Sequence, residues 1–328
     1  MLPGTLFALA AGLLWGLVFV VPLLLSDYPA ALLSVGRYLA FGLIALPLAW
    51  LDRARLRDLT RADWIEAGKL AAVGNLLYYL LLAAAIQRAG GPLPTMIIGT
   101  LPVVIAITSN LRDARRDGRM PWLKLAPPLL LIAAGIALVN HSELALLRAD
   151  DGLDPGRYAL GAVLAIGAVA CWTWYPIRNA DWLRAHAGRS PRSWATAQGV
   201  ATLPLAVAGL ALYLAFGSAT GKASDGVTGL LLGPTPERFI LLMLAVGLLA
   251  SWLGTLCWNE ASQRLPTTLA GQLIVFETLA ALGYAFVLRG GWPGPVTLAG
   301  IGLLIAGVLS ALRIRPEPVA EAQAGAPH

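Results

Sequence analysis

Charge is what this chain has least of. Only 13% of its 328 residues are Asp, Glu, Lys or Arg, while 58% are hydrophobic and the mean hydropathy is +0.71. Soluble domains carry about 25% charged residues, so the composition excludes one and points to a chain that crosses a bilayer repeatedly. Cysteine is also scarce. Cys171 and Cys257 both fall inside apolar runs, which excludes a disulfide framework and a CxxC metal pair. The three histidines, His141, His186 and His328, lie in loops or the tail. No His/Asp/Glu cluster sits at either end of the apolar runs, so neither a metal centre nor a catalytic residue set is offered, and no cofactor is implied. This disfavours a lipid-modifying membrane enzyme. Alternating ten-residue strands of a membrane barrel are lacking too. The nearest approach to a phosphate loop, GSATGKAS at 217–224, is one residue short and follows no strand, so a nucleotide does not drive this protein.

What is present is a series of apolar runs, at 3–25, 29–50, 64–87, 92–111, 122–140, 158–177, 193–216, 237–259, 267–288 and 295–312. Each is about 20 residues, long enough to span the hydrocarbon core, and unpaired backbone is excluded from lipid, so each is expected to be a helix. The fold class expected is all-α and integral to the membrane, with ten transmembrane helices. The first run lacks a basic leader and reads as a retained helix. Arginines follow the second, fourth, sixth and tenth runs, while the loop after the fifth is acidic. The net charge of +6 therefore reads as basic loops on one face of the bilayer, with both termini cytoplasmic, and not as a nucleic-acid footprint. The Pro/Ala/Glu-rich tail, 313–328, is expected to be disordered.

The chain repeats itself. Gly4, Ala8, Ala11, Trp15, Gly42 and Leu46-Pro47-Leu48 recur 157 residues on as Gly161, Ala165, Ala168, Trp172, Gly199 and Leu203-Pro204-Leu205, and Gln87-Arg88 recurs as Gln263-Arg264. Residues 1–140 form the first five-helix unit, 141–157 a periplasmic linker and 158–312 the second unit. Five is odd, so the second copy is expected to insert upside down, an architecture that places a binding site near the midplane between the halves.

Glu277 is the one acid at the centre of an apolar run, with Gln272 and Tyr284 on the same helix. A charged group at bilayer depth costs ~3 kcal/mol on insertion scales and marks a functional site by default. The bland alternative is a protonated Glu that fastens two helices. Asn75, Tyr78 and Tyr79 form a polar-aromatic stripe in the third run. Ser251, Thr255, Trp258 and Asn259, flanked by Trp252, form its counterpart in the eighth. Trp15 and Trp172 hold matching places in the first and sixth runs, and Trp15 is expected to line the cavity. Interhelical packing alone accounts for any one of these residues; the symmetric pair of stripes favours a cavity. Trp174 and Tyr175 suit either a gate or an interfacial belt. Arg37 is the deepest basic residue. Because Pro29 starts its run only two turns earlier, it is expected to snorkel to the interface, ahead of neutralising Glu277 or binding a carboxylate.

Ten runs, the 5+5 repeat and Trp15-Gly16 resemble the drug/metabolite transporter superfamily, EamA-like branch, over nearly the whole chain. LYYLLLAAAIQRAGG at 77–91 and GQLIVFETLAALGYAFVL at 271–288 are most similar to the aromatic amino acid exporters of the YddG type. The family's usual span-nine proline is replaced here by Glu277, while Pro102 keeps its place in span four. The resemblance implies export of aromatic or hydrophobic amino acids across a bacterial inner membrane. Its partners would be a small-molecule substrate and the lipid bilayer. Export of cationic, drug-like metabolites on the same rings is the alternative. Substrate contacts are expected from Trp15, Asn75, Tyr78, Tyr79, Ser251, Trp252, Thr255, Trp258, Asn259 and Glu277. Oligomeric state is not set by these features.

Overall fold

The computed structural model describes residues 2–89, 94, 97–112, 121–147, 154–219, 232–290, 292–311 and 313–314. Among these residues there are helices and turns and no strand. The helices are α1 (Leu2–Leu24), α2 (Ala30–Leu51), α3 (Arg61–Ala89), α4 (Leu101–Arg112), α5 (Trp122–Leu147), α6 (Pro155–Ala185) and α7 (Pro191–Ala219). They continue with α8 (Pro236–Arg264), α9 (Thr267–Leu273, then Val275–Arg289) and α10 (Pro295–Ala311). Seven, α1, α2, α3, α6, α7, α8 and α9, are long and apolar enough to cross a membrane. The expected fourth, fifth and tenth spans coincide with shorter apolar helices, Leu101–Arg112, Trp122–Leu138 and Pro295–Ala311. The expected start of the fourth span at residue 92, the basic cluster Arg115, Arg116 and Arg119, the middle of the linker, residues 220–224 and the tail from 315 lie outside the described residues.

Local chemistry sets the helix ends. Thr60 and Asp63 close a capping box ahead of α3: Thr60 Oγ1 accepts from Asp63 N at 3.2 Å, and Asp63 Oδ2 accepts from Thr60 N at 2.8 Å. Asp154 caps α6, with Pro155 at its first position. Gly290, at φ 63°, ends α9 in the left-handed conformation that only glycine adopts without strain.

Helices α3 and α8 each contain a seven-residue π-helical segment, Ala71–Leu77 and Gly247–Leu253. A π turn displaces a backbone carbonyl from the regular ladder, and in both cases a neighbour supplies a donor. Ser34 Oγ donates to Leu76 O at 3.2 Å, and Trp15 Nε1 donates to Ala250 O at 2.9 Å.

Packing pairs α2 with α7, α3 with α6, α1 with α8 and α9, α4 with α9, and α5 with α10. Glycines permit the closest approaches, and they do so reciprocally. A Cβ on Gly42 would lie 2.7 Å from Leu203 Cβ, and one on Gly199 would lie 2.6 Å from Ala45 Cβ. A Cβ on Gly4 would lie 2.9 Å from Arg264 Cβ, and one on Gly161 would lie 2.5 Å from Ala89 Cβ.

A central cavity as the candidate functional site

The two π segments and the break in α9 converge on one buried space. Trp15 and Val18 enter it from α1, Arg37 and Tyr38 from α2, Asn75 and Tyr78 from α3, and Trp172 from α6. Ala250, Ser251 and Thr255 enter from α8, and Glu277 from α9. Asn75 and Ser251 sit inside the π segments, where the altered helix pitch turns them inward. Glu277 lies one turn past Ile274, where α9 is interrupted, in the first turn of Val275–Arg289. Six of the ten residues expected from sequence, Trp15, Asn75, Tyr78, Ser251, Thr255 and Glu277, therefore share this space. The free volume is about 10 Å³, room for roughly one water.

The walls are stacked rings. Tyr78 lies flat on Trp172 with centroids 4.8 Å apart, Trp172 lies flat on Tyr175 at 4.8 Å, and Trp15 meets Trp172 edge-on at 5.0 Å. Trp258 reaches the cluster through Trp15, at 5.3 Å. Tyr79, one residue past Tyr78, faces the Arg37 guanidinium instead, whose carbon lies 4.7 Å from the ring centre.

Arg37 corrects the expectation that it snorkels. It is 5% exposed, its Nε donates to Ser251 Oγ at 3.0 Å, and its guanidinium carbon lies 4.9 and 4.7 Å from the ring centres of Tyr38 and Tyr79, which stand edge-on to each other. A hydrogen bond and two aromatic faces offset part of the cost of desolvating the cation. Several buried polar atoms at the cavity have no hydrogen-bond partner: Arg37 Nη1, Tyr78 Oη, Trp172 Nε1 and Glu277 Oε2. Gln272, on the turn before Glu277, is buried with both amide atoms unpartnered. Tyr284 Oη is committed elsewhere, donating to Leu13 O at 2.9 Å.

Two expected contacts point away from the cavity. Trp252 Nε1 donates to Thr196 Oγ1 on α7 at 3.2 Å. Asn259 donates to Pro191 O at 3.2 Å and accepts from Asn179 Nδ2 at 2.8 Å. Asn179 Oδ1 in turn accepts from Trp194 and Gln198, and Gln198 Oε1 accepts from Tyr175 Oη at 2.8 Å. Asn259 thus belongs to a polar network between α6, α7 and α8. Trp174 lines an outer groove with Val104 and Thr108, while Tyr175 is buried between the cavity and that network.

Among the described residues no group of three or more His, Cys, Asp or Glu is placed to hold a metal. Residues 2–140 match the model of the EamA-like transporter family. Inner membrane protein YtfF of Escherichia coli (strain K12) is 52% identical over 320 residues, covering 97% of each chain. The chain belongs to the EamA-like transporter family. That family lies within the drug/metabolite transporter superfamily. A solved crystal structure of another protein superposes with a TM-score of 0.68 at 16% identity, over 94% of this chain and 96% of that one. The two chains share a fold over nearly their whole lengths.

In this EamA-like chain the two halves are in contact at both ends of the bundle. At the end carrying the α2–α3 and α6–α7 turns, Arg178 pairs with Glu66, and Arg112 with Asp181 at 2.6 Å. There Trp182 Nε1 also donates to Asp63 Oδ1 at 2.8 Å. At the opposite end Tyr28 stacks on Phe239 with centroids 4.8 Å apart, and its hydroxyl donates to Leu232 O at 2.7 Å and accepts from Thr235 N at 2.9 Å.

Proposed function

We propose that this protein exports aromatic and hydrophobic amino acids from the cytoplasm across a bacterial inner membrane, by alternating access through the central cavity. The observation that carries this reading is the joint presence, in one buried space, of stacked indole and phenol rings and of unpartnered polar atoms. Buried polar groups are almost always satisfied, and a ligand that stacks on the rings while meeting those atoms would complete them. In the closed form there is room for roughly one water, so substrate must enter as one end opens.

On this reading all ten helices span, in two inverted five-helix repeats, 1–140 and 158–312, joined by a periplasmic linker at 141–157. Both termini are cytoplasmic, and the tail is 313–328. The reciprocal glycine contacts and the paired π segments support the inversion. So do two matched hydrogen bonds: Gln87 Nε2 donates to Tyr28 O, and its repeat partner Gln263 Nε2 donates to Arg189 O. A two-fold relation produces such pairs of contacts, and a chance likeness between helices does not. The arginine-rich α2–α3 and α6–α7 turns support a cytoplasmic position for that end. The relative's description as an inner membrane protein supports the location.

The test is counterflow of labelled tryptophan in proteoliposomes. Trans-stimulated uptake is expected in the wild type. In Trp15→Ala and Tyr78→Ala apparent affinity is expected to fall by about fivefold, the ~1 kcal/mol of a lost ring pair. Trp252→Ala, which lies outside the cavity, should leave affinity unchanged. Uptake without trans-stimulation would indicate a channel, and wild-type affinity in both cavity variants would remove the aromatic site.

A further inference from the structure

The cavity wall carries both a basic and an acidic side chain. Among the described residues Arg37 and Glu277 are the only Asp, Glu, Lys or Arg on its wall, and they come from opposite halves of the chain, on α2 and α9. They are 5% and 4% exposed. They do not satisfy each other: Arg37 Nη1 and Glu277 Oε2 both lack a hydrogen-bond partner. Leaving such atoms unpaired in a dry site is costly, and the cost is removed if a third molecule bridges them. The guanidinium is held by one hydrogen bond and two rings. Its Nε is committed to Ser251 Oγ at 3.0 Å, its central carbon lies 4.9 and 4.7 Å from the ring centres of Tyr38 and Tyr79, and Nη1 is without a partner. A guanidinium fork matches a carboxylate. An ionised Glu is an acceptor only, and an ammonium, with three donors and no acceptor, is its complement. Tyr78 and Trp172 stand beside the pair, where a flat side chain would stack.

We propose that Arg37 receives the α-carboxylate and Glu277 the α-ammonium of the transported molecule, so that the site selects zwitterions. Ser251 is the positioning residue that aims the guanidinium. This inference rests on the amino acid export reading and adds the polarity of recognition. The competing account is that Arg37 only neutralises Glu277 within the fold.

The test is competition against tryptophan counterflow by tryptamine, which lacks the carboxylate, and by indole-3-propionate, which lacks the ammonium. In the wild type each is expected to compete at least about tenfold more weakly than unlabelled tryptophan, because a charged partner is left unpaired. Arg37→Gln should erase the preference over tryptamine and keep the preference over indole-3-propionate. Glu277→Gln should do the reverse. A purely neutralising pair predicts no such crossed pattern, and it predicts that the Arg37→Gln/Glu277→Gln double variant regains wild-type counterflow. If one single variant fails to fold, the wild-type competition still tests selection of zwitterions and the other single variant tests its own residue. Equal competition by either analogue, or recovery in the double variant, overturns the assignment while tryptophan export stands. Tryptamine counterflow without tryptophan counterflow overturns both readings and favours a cationic substrate. Absence of any tryptophan or tryptamine counterflow overturns the export reading and this inference with it.

Discussion

At the end bearing the α6–α7 turn, the two halves of the chain are joined by a set of charge contacts. Arg178 meets Glu66, Arg112 meets Asp181, Arg189 meets Asp58 at 3.5 Å, and His186 Nε2 lies 3.6 Å from Asp63. Arg192 Nε lies 3.0 Å from Asp52 Oδ2, close enough to attract though not aligned as a hydrogen bond. At the other end, among the described residues, Tyr28 joins the halves through a ring stack and a hydroxyl, and Arg157 Nη2 donates to Gln87 O at 3.5 Å, a bond to a backbone carbonyl and not an ion pair. Among the described contacts, one end is joined by ion pairs and the other by a tyrosine and an arginine on a backbone carbonyl. Salt reaches exposed ion pairs and passes over a stacked tyrosine, so the openings of the two ends are separable by conditions as well as by mutation.

The comparison has a direction, and testing it gives the largest effect, an all-or-none one. Cysteine at the exposed Arg57, in the ion-paired end, and at the exposed Glu237, at the tyrosine end, would be placed in a background with Cys171→Ser and Cys257→Ser. A membrane-impermeant maleimide is expected to label the first only from the cytoplasm and the second only from outside. Labelling of both from one side would remove the inverted arrangement. The opposite pairing of sides would reverse the direction of export.

Asp63 is where the ion-paired end is most concentrated. It is 4% exposed, closes the α3 capping box and accepts from Trp182, which stacks on Trp194 at 3.4 Å. Asp63→Ala keeps the Thr60 cap but loses the reciprocal bond from Thr60 N to the Asp63 carboxylate, worth ~1 kcal/mol, and leaves the indole N–H unpaired, worth ~1–3 kcal/mol. A loss of about 2–4 kcal/mol in detergent unfolding is expected. Labelling of a cavity cysteine, Val18→Cys, from that side should rise. In the otherwise unaltered protein, 1 M salt shortens the Debye length to ~3 Å and should raise the same labelling from the ion-paired side alone. Unchanged labelling in both would show that this end does not gate the cavity.

Much of this was legible in the sequence, and what was not has a common cause. Apolar runs report membrane helices because lipid leaves the backbone no other choice. The repeat survived as spaced identities because Gly4, Gly42, Gly161 and Gly199 stand where backbones touch. Trp252 and Asn259 bond away from the cavity, although each directly follows a residue that does join the cluster, Ser251 and Trp258. Successive residues diverge by about 100° around a helix, and stripe reading blurs neighbours. Tyr78 and Tyr79 divide in the same way between the cavity wall and Arg37. Arg37 was misread because distance from a helix end is visible in a sequence and a partner on another helix is not. Ser251, 214 residues away, is what keeps it inside.

The smallest effect sharpens the comparison most. Tyr28→Phe keeps the ring on Phe239 and removes only the hydroxyl, which leaves Leu232 O and Thr235 N without this partner. Those groups are only partly buried, so water can replace the hydroxyl, and the cost is that of an ordinary hydrogen bond, ~1 kcal/mol. The closed form should lose about fivefold in population relative to the form open at that end. Val18→Cys in the Tyr28→Phe background should therefore be labelled about fivefold faster from the tyrosine side and at an unchanged rate from the ion-paired side. The increase should be the same at 0.1 M and 1 M salt, since no charge is involved. A salt-dependent increase would mean that the two ends open together, and a single concerted motion would then replace two separable gates. Faster labelling from the ion-paired side would mean that Tyr28 holds the whole bundle closed.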